Sequence, residues 1–142
     1  MFKKKPKAQQ AMSLADIDEL TRSGRPVLVD FYQVGCAPCQ VMDGIMNELA
    51  REYAPSAHVV KADIARMPDA IAKFGIRSTP TLVLLGPAPQ RTSKKAKRHA
   101  TGTKKGTTRP RVTQRWRASG LVPKDQLTRL LESNGAQRAE QG

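Results

Sequence analysis

The sequence predicts an α/β fold, and three observations carry that prediction. Val27–Tyr32 is apolar nearly throughout, as expected of a strand in the centre of a sheet. Apolar side chains at helical spacing follow it, and His58–Asp63 is a second β-prone run. Two strands joined in this way by a helix are parallel, with a right-handed crossover. The 142 residues are enough for one domain with a hydrophobic core.

A first helix is predicted to begin at Ser13, whose hydroxyl can cap it, with an acid three residues later at Asp16. Gly24 and Pro26 end this helix. Its apolar residues share one face: Leu14, Ile17 and Leu20. Residues 1–12 are Lys-rich and are expected to form a basic flexible tail.

The next helix begins at a pair of cysteines and ends at Pro55. Its apolar stripe predicts which side chains enter the core: Val41, Met42, Ile45, Met46, Leu49 and Tyr53. A short helix is then expected from Pro68 to a C-cap at Gly75. Its two apolar residues are expected to face inward: Ile71 and Phe74. Residues 81–85, TLVLL, predict a third strand.

The last part of the chain begins with a basic stretch, residues 86–111. It is predicted to be a disordered insertion, because it cannot bury enough apolar surface to become ordered. Residues 112–118 predict a final strand anchored by Trp116, and Gly120 turns the chain. A last helix opens at Pro123 and turns three leucines inward: Leu127, Leu130 and Leu131. These boundaries predict one domain over residues 13–133 and a flexible tail over residues 134–142.

Charge is distributed unevenly along the chain, whose formal net charge is +13. Residues 1–69 carry nine Lys/Arg and nine Asp/Glu, whereas residues 70–124 carry fourteen Lys/Arg and no acid. A segment of this kind favours nucleic acid, an acidic membrane surface or an acidic protein as a partner.

Localisation is inferred from what the sequence lacks. No apolar run is long enough to predict a transmembrane segment. Asp16, Asp18 and Glu19 come too early for a secretory signal, so a cytoplasmic protein is expected. In that reducing compartment a Cys-x-x-Cys pair is more often catalytic or metal-binding than structural.

The stretch VDFYQVGCAPCQ contains the only two cysteines of the chain, Cys36 and Cys39, at a predicted strand-to-helix turn. The positive end of the helix stabilises a thiolate, so Cys36 is the candidate attacking thiol and Cys39 the resolving thiol. Two alternatives remain at this point. A zinc site would need two further ligands, and the chain offers only His58 and His99. The pair could also be two buried structural thiols.

The chain resembles the thioredoxin family in four stretches: VLVDFYQVGCAPCQVMDGIMNELAREY, HVVKADI, KFGIRSTPTLVLL and RWRASGLVPKDQLTRLL. A Cys-x-Pro-Cys after a strand, with Thr-Pro ahead of a later strand, is a specific combination. The resemblance implies a thioredoxin fold, with a central mixed β-sheet flanked by helices. The long basic insertion then lies in a hairpin between the last two strands, which the fold makes antiparallel.

The resemblance also implies roles for individual residues. Asp30 matches a buried carboxylate that helps to deprotonate Cys39, and Lys61 matches a lysine near that carboxylate. The alternatives are an Asp at a solvent-facing strand end and a surface lysine. Substrate would bind beside the disulfide, at residues that include a cis-proline: Gly35, Ala37, Pro38, Thr79 and Pro80. No cofactor beyond the redox-active Cys36–Cys39 disulfide and no metal is expected.

Three departures from the family pattern bear on the site. Gly35 stands where the family usually has Trp before the first cysteine, which removes an aromatic wall. The dipeptide between the cysteines is Ala-Pro rather than the usual Gly-Pro. The opening strand of the fold is hard to find, because KAQQAM is a poor strand sequence.

The expected function is that of a monomeric protein disulfide reductase, with protein disulfides as substrates and a thioredoxin reductase as electron donor. The alternative is a scaffold whose basic arm contacts nucleic acid or a ribonucleoprotein. No aromatic residue is interleaved before Trp116, so contact with phosphates rather than bases is expected. A solvated arm, an acidic protein partner and a membrane surface also remain possible. The candidate phosphate contacts are Lys94, Lys95, Lys97, Arg98, Lys104, Lys105, Arg109 and Arg111.

Overall fold

The computed structural model describes residues 7–54, 56–87 and 112–139. Within these ranges the strands are β1 (Gln9–Ala11), β2 (Val27–Tyr32), β3 (His58–Asp63), β4 (Thr81–Pro87) and β5 (Val112–Ser119). The α-helices are α1 (Leu14–Thr21), α2 (Ala37–Tyr53), α3 (Pro68–Phe74) and α4 (Lys124–Ser133), with a 3₁₀ turn at Ile64–Arg66.

The strands form one five-stranded sheet in the order β1-β3-β2-β4-β5. The first three strands of that order are parallel, and β4 is antiparallel to both β2 and β5. This arrangement confirms the predicted α/β class, the parallel β2–β3 unit and the mixed sheet that the resemblance implies. Because β2 is central and paired on both sides, its apolar sequence is buried over both faces.

Side chains alternate between the two faces of the sheet and build two cores. Leu28 of β2 packs in the core that contains Met42 and Met46 of α2 and Leu127 of α4. Val27, Val29 and Phe31 lie in the core on the opposite face, with residues of α1 and α3. Asp30 follows the alternation and therefore lies on the same face as Leu28, beneath α2.

The predicted tail over residues 1–12 is wrong for Gln9–Ala11, which form β1 and pair in parallel with β3. Ala11 is buried in the core, at 3% exposure. Strand propensity alone did not indicate this strand, because its stability comes from the open edge of β3 and from the burial of one small residue. Residues 1–6 lie outside the described residues.

The predicted C-terminal tail also differs from the structure. Ala136 is buried in the core beside α2 and α4. Ser56 and Gln137 exchange two hydrogen bonds of 2.8 and 2.7 Å, and the Ala139 N–H donates to the Glu52 carbonyl. The segment up to Ala139 therefore packs along the end of α2. A polar sequence did not reveal this, since the contacts are made by backbone groups and one alanine.

Most predicted boundaries agree with the structure to within one or two residues. Ser13 caps α1 by accepting the Asp16 N–H, and Gly75 caps α3 with a left-handed φ of +61°. The predicted core positions Val41 and Ile71 are instead exposed, at 54% and 37%. The buried stripe of α2 consists of Cys39, Met42, Met46, Leu49, Ala50 and Tyr53.

The predicted insertion, residues 86–111, starts too early, because Gly86 and Pro87 belong to β4. The remainder lies outside the described residues.

Across the described ranges, no helix combines the length and the apolar character needed to cross a membrane.

A cluster of ion pairs joins α4 and the C-terminal segment to α2. The Lys124 ammonium donates to Glu48 at 3.0 Å and to Glu52 at 2.6 Å, and Arg138 donates to Glu52 at 3.2 Å. The hydrogen bond from Lys124 is the main reason that the pKa of Glu52 is lowered from 4.5. The ion pair with Glu52 therefore stabilises the fold above that pH and is lost as Glu52 takes up a proton below it.

Lys124→Met is expected to lower the free energy of unfolding at pH 7 by about 1 kcal/mol, because it leaves Glu52 without its main partner. The difference from wild type should shrink as the pH falls below 4.5. Urea unfolding at several pH values measures it. Arg22→Met breaks the exposed pair with Glu19 and serves as the control that should not change stability. An equal loss at all pH values would contradict the role of Glu52.

Candidate active site

A disulfide joins Cys36 and Cys39 where β2 runs into α2. Cys36 is the N-cap of α2, and the Cys39 N–H donates to the Cys36 sulfur at 3.3 Å. Cys36 is half-buried, whereas Cys39 is only 4% exposed. After reduction, a negative charge on Cys36 faces the positive end of α2, so this geometry favours a thiolate at the more accessible sulfur.

The loop before β4 lies against this sulfur. The Thr79–Pro80 peptide bond is cis, as the resemblance implies. The Thr79 hydroxyl donates to the Cys36 sulfur at 3.7 Å, and the Thr79 carbonyl oxygen lies 3.7 Å from the same sulfur. The antiparallel β2–β4 register brings Thr81 opposite Phe31 and so holds this loop at the disulfide end of the sheet.

Asp30 is a buried carboxyl group, 1% exposed, with no hydrogen-bond partner on either oxygen in the part of the chain described. Burial raises the pKa of Asp30 to about 7; the charge of Asp43 adds to this increase and the charge of Lys61 opposes it. The solvent-facing alternative is therefore wrong, because the alternation of β2 turns this side chain inward. A group with this pKa can take up or release a proton near neutral pH.

Lys61 lies directly opposite Asp30 in the parallel register of β2 and β3. Its side chain is 18% exposed, so it is not a freely solvated surface lysine. Its ammonium group donates a hydrogen bond to Asp43 rather than to Asp30. Asp43 was missed by the sequence reasoning. The available signal was its position four residues after Cys39, which places the two side chains on one face of α2.

A pocket of about 240 Å³ lies next to the disulfide. It is lined by Asp30, Tyr32, Gln33, Val34, Gly35, Cys39, Gln40 and Asp43. Gly35 stands at the position where the family usually has Trp, and its φ of +87° is one that L-residues rarely adopt. A substituent on its Cα would meet no atom within 4 Å, so backbone conformation rather than crowding favours glycine here.

The predicted site residues lie at the junction of β2 with α2 and beside it: Lys61 is the register partner of Asp30, Thr79 contacts Cys36, and Gly35 lines the pocket with Asp30 and Cys39. Ala37 and Pro38 form the first turn of α2, between the cysteines. The predicted phosphate contacts of the basic segment, Lys94 to Arg111, lie outside the described residues. In the described ranges no cluster of three or more His, Cys, Asp or Glu side chains could hold a metal ion.

The sequence of this chain is similar to those of thioredoxins. The thioredoxin family model matches residues 11–107. The thioredoxin of Alicyclobacillus acidocaldarius is 34% identical over 77 residues, which are 54% of this chain and 73% of that protein. The thioredoxin of Rickettsia bellii is 35% identical over 77 residues, with the same coverage.

Solved structures give the same result for the fold. A thioredoxin variant from Halobacterium salinarum superimposes with a TM-score of 0.68 at 25% identity, covering 94% of this chain and 96% of that one. The thioredoxin of Malassezia sympodialis has a TM-score of 0.65 at 16% identity, with the same coverage, and so supports the fold alone.

Gly35→Ala is expected to lower the free energy of unfolding of the oxidised protein by about 1 kcal/mol, because its φ of +87° is unfavourable for an L-residue. Gly44→Ala is the matched control: its Cβ also meets nothing, but it lies inside α2, so the change should stabilise by about 0.5–1 kcal/mol. Denaturant unfolding of both variants measures the difference, and two changes of the same sign would refute the conformational argument.

Proposed function

The chain belongs to the thioredoxin family, and we propose that it reduces disulfide bonds in other proteins through Cys36 and Cys39. Dithiol–disulfide exchange is the chemistry of a thiol–disulfide oxidoreductase of this family. The observation that carries the proposal is the accessible Cys36 sulfur at the start of α2, paired with a buried Cys39 and flanked by Thr79.

The first step is attack by the Cys36 thiolate on a substrate disulfide. A bond forms between Cys36 and one substrate sulfur, the substrate disulfide breaks, and the other substrate sulfur leaves as a thiolate. The helix N-terminus and the Cys39 N–H support the attacking charge before it is transferred. The half-buried position of Cys36 gives the substrate access to this sulfur.

The second step is attack by Cys39 on the mixed disulfide. Cys39 first loses its proton, for which Asp30 is the proposed base, with Lys61 as a neighbouring charge. The Cys39 thiolate then forms a bond with the Cys36 sulfur, and the remaining substrate sulfur leaves as a thiolate. The pKa of Asp30, about 7, supports this role, because it suits proton exchange at neutral pH.

Substrate docking is assigned to the surface around Cys36. The proposed contacts are Gly35, Ala37, Pro38, Thr79 and Pro80. The backbone of Thr79 is proposed to pair with an extended substrate segment beside the sulfur. Gly35 and Cys39 both line the pocket, and the lack of an aromatic side chain at Gly35 is proposed to admit larger substrate side chains.

The exchange reaction determines what kind of electron donor the protein needs. Each turnover leaves an oxidised Cys36–Cys39 pair, so an external reductant has to return two electrons, and a thioredoxin reductase is the proposed donor. No further cofactor or metal is proposed. A reducing compartment, the cytoplasm, and a monomeric state are proposed as the setting in which this cycle runs.

Cys36→Ser is expected to abolish reduction of insulin disulfides with a small dithiol as electron source, because it removes the attacking sulfur. Cys39→Ser should instead accumulate a mixed disulfide with the substrate, visible by mass spectrometry, because the first step remains possible. Turbidity caused by the released insulin chain follows the rate. Wild-type turnover no faster than the dithiol background, or full activity of Cys36→Ser, would refute the proposed function.

A second candidate function concerns the basic segment between β4 and β5. We propose that it binds nucleic acid phosphates without reading sequence, as its eight candidate contacts, Lys94 to Arg111, carry no neighbouring acid. The strand ends that connect to it, Pro87 and Val112, are register partners at the end of the sheet remote from Thr81 and the disulfide. The chain therefore enters and leaves this segment at the end of the sheet away from Thr81.

Affinity for duplex DNA or RNA is expected to fall with salt by about 0.9 log unit per log unit of salt for each phosphate engaged. Deletion of residues 91–109 should abolish this binding while leaving insulin reduction intact. Fluorescence anisotropy with labelled duplexes at several salt concentrations measures the slope. Undiminished binding by the deletion variant would refute this second proposal and leave the disulfide reductase unaffected.

A further inference from the structure

The strand register alone predicts an ion pair between Lys61 and Asp30, but the structure pairs Lys61 with a different acid. Lys61 is the direct cross-strand neighbour of Asp30, and an ammonium at that position is the obvious partner for a buried carboxylate. Yet the Lys61 ammonium donates to Asp43, and neither Asp30 oxygen has a hydrogen-bond partner among the residues that the structure describes. Among the described residues, Lys61 is thus paired with Asp43 rather than with its register partner Asp30.

The positions of the three side chains explain this pairing. Asp43 follows Cys39 by one helical turn, so both project from α2 over the face of the sheet that carries Asp30. Asp43 keeps 48% of its side chain in contact with solvent, which lowers the cost of its charge. A charged Asp30 at 1% exposure has no such hydration, and the ammonium pairs with the better solvated acid.

We propose that Asp43 is a positioning residue for the second exchange step: it holds the Lys61 ammonium away from Asp30 and so leaves Asp30 free to take the Cys39 proton. The inference rests on the proposed function, in which Asp30 acts on Cys39. A carboxylate that is tightly paired with an ammonium is a weaker base, and proton transfer is most efficient from a group matched to the working pH.

The groups that face Asp30 are few in the described structure. Cys39 and Asp43 approach from α2, Lys61 from β3 and Tyr32 from β2, and all but Lys61 line the shared pocket. On the β4 side the register partner is Leu82, which does not titrate. The charge of Asp43 raises the pKa of Asp30 and that of Lys61 lowers it, in keeping with the geometry.

The step can be isolated with a chromogenic aromatic disulfide, dithionitrobenzoate, and the full-length reduced protein. Cys36 attacks first and releases one thionitrobenzoate. Asp30 then takes the Cys39 proton, Cys39 forms a bond with Cys36, and the second thionitrobenzoate leaves as a coloured thiolate. This second phase is intramolecular, so its rate does not depend on reagent concentration, and under the proposed mechanism its dependence on pH follows the ionisation of Asp30.

In wild type the rate of the second phase should rise with pH through a midpoint near 7. Asp43→Asn frees Lys61 to pair with Asp30, and the midpoint should fall by about one pH unit. Asp43→Glu keeps a carboxylate for Lys61 and should restore a midpoint close to wild type. Asp18→Asn is the matched control, since it also removes an acid paired with a lysine, but on α1; its midpoint should be unchanged.

The Lys61→Met background separates positioning from the direct effect of the Asp43 charge. If Asp43 acts through Lys61, Asp43→Asn should move the midpoint clearly less when Lys61 is already Met, because only the direct effect of the Asp43 charge remains. An unmoved midpoint in Asp43→Asn alone, or an equal shift with and without Lys61, would overturn the inference. Absence of a second phase in wild type would refute the proposed function itself. Denaturant unfolding of each variant confirms that the fold is retained.

Discussion

The pairing of β2 with a neighbour on each side is the constraint on which the site depends. The parallel register with β3 sets Lys61 beside Asp30, and the antiparallel register with β4 brings Thr81 opposite Phe31. The first pairing places a cation near the buried acid. The second holds the cis-proline loop at the end of β2, where α2 begins with Cys36. A shift of either register by one residue would turn Asp30 or its neighbours to the other face.

The electrostatics of the site follow from burying a carboxyl group in this central strand. Within the described ranges Asp30 has no hydrogen-bond partner and almost no contact with solvent, so its protonated form is favoured until near neutral pH. The environment of the Cys36 sulfur instead favours a negative charge, because the sulfur lies at a helix N-terminus and accepts the Cys39 N–H. Asp30 thus favours its neutral form and Cys36 favours its charged form, although the two residues lie in one short segment of the chain. This contrast supports the proposed roles, in which Cys36 attacks as a thiolate and Asp30 is the base for Cys39.

Much of this architecture could be predicted from the sequence, because periodic apolar runs determine it. The bounds of β2 and β3 agree with their predicted ranges, and the cysteine pair marks the start of α2. The features that could not be predicted depend on distant partners. β1 is a weak strand sequence that pairs with the edge of β3, and Ala136 is buried in the core that contains residues of α2 and α4. Asp43 is an unremarkable helical acid until the register of β3 brings Lys61 beneath it.

The β4–β5 hairpin has a consequence for how the chain can vary. Pro87 and Val112 are register partners, so the chain leaves the sheet and returns to it at adjoining points. The entropy needed to close a connection between two such points rises only slowly with its length. This end of the sheet is therefore a suitable insertion site for an affinity tag, a fluorescent reporter or another recognition peptide. Sequence inserted there would join the sheet at the end opposite to Thr81 and the disulfide.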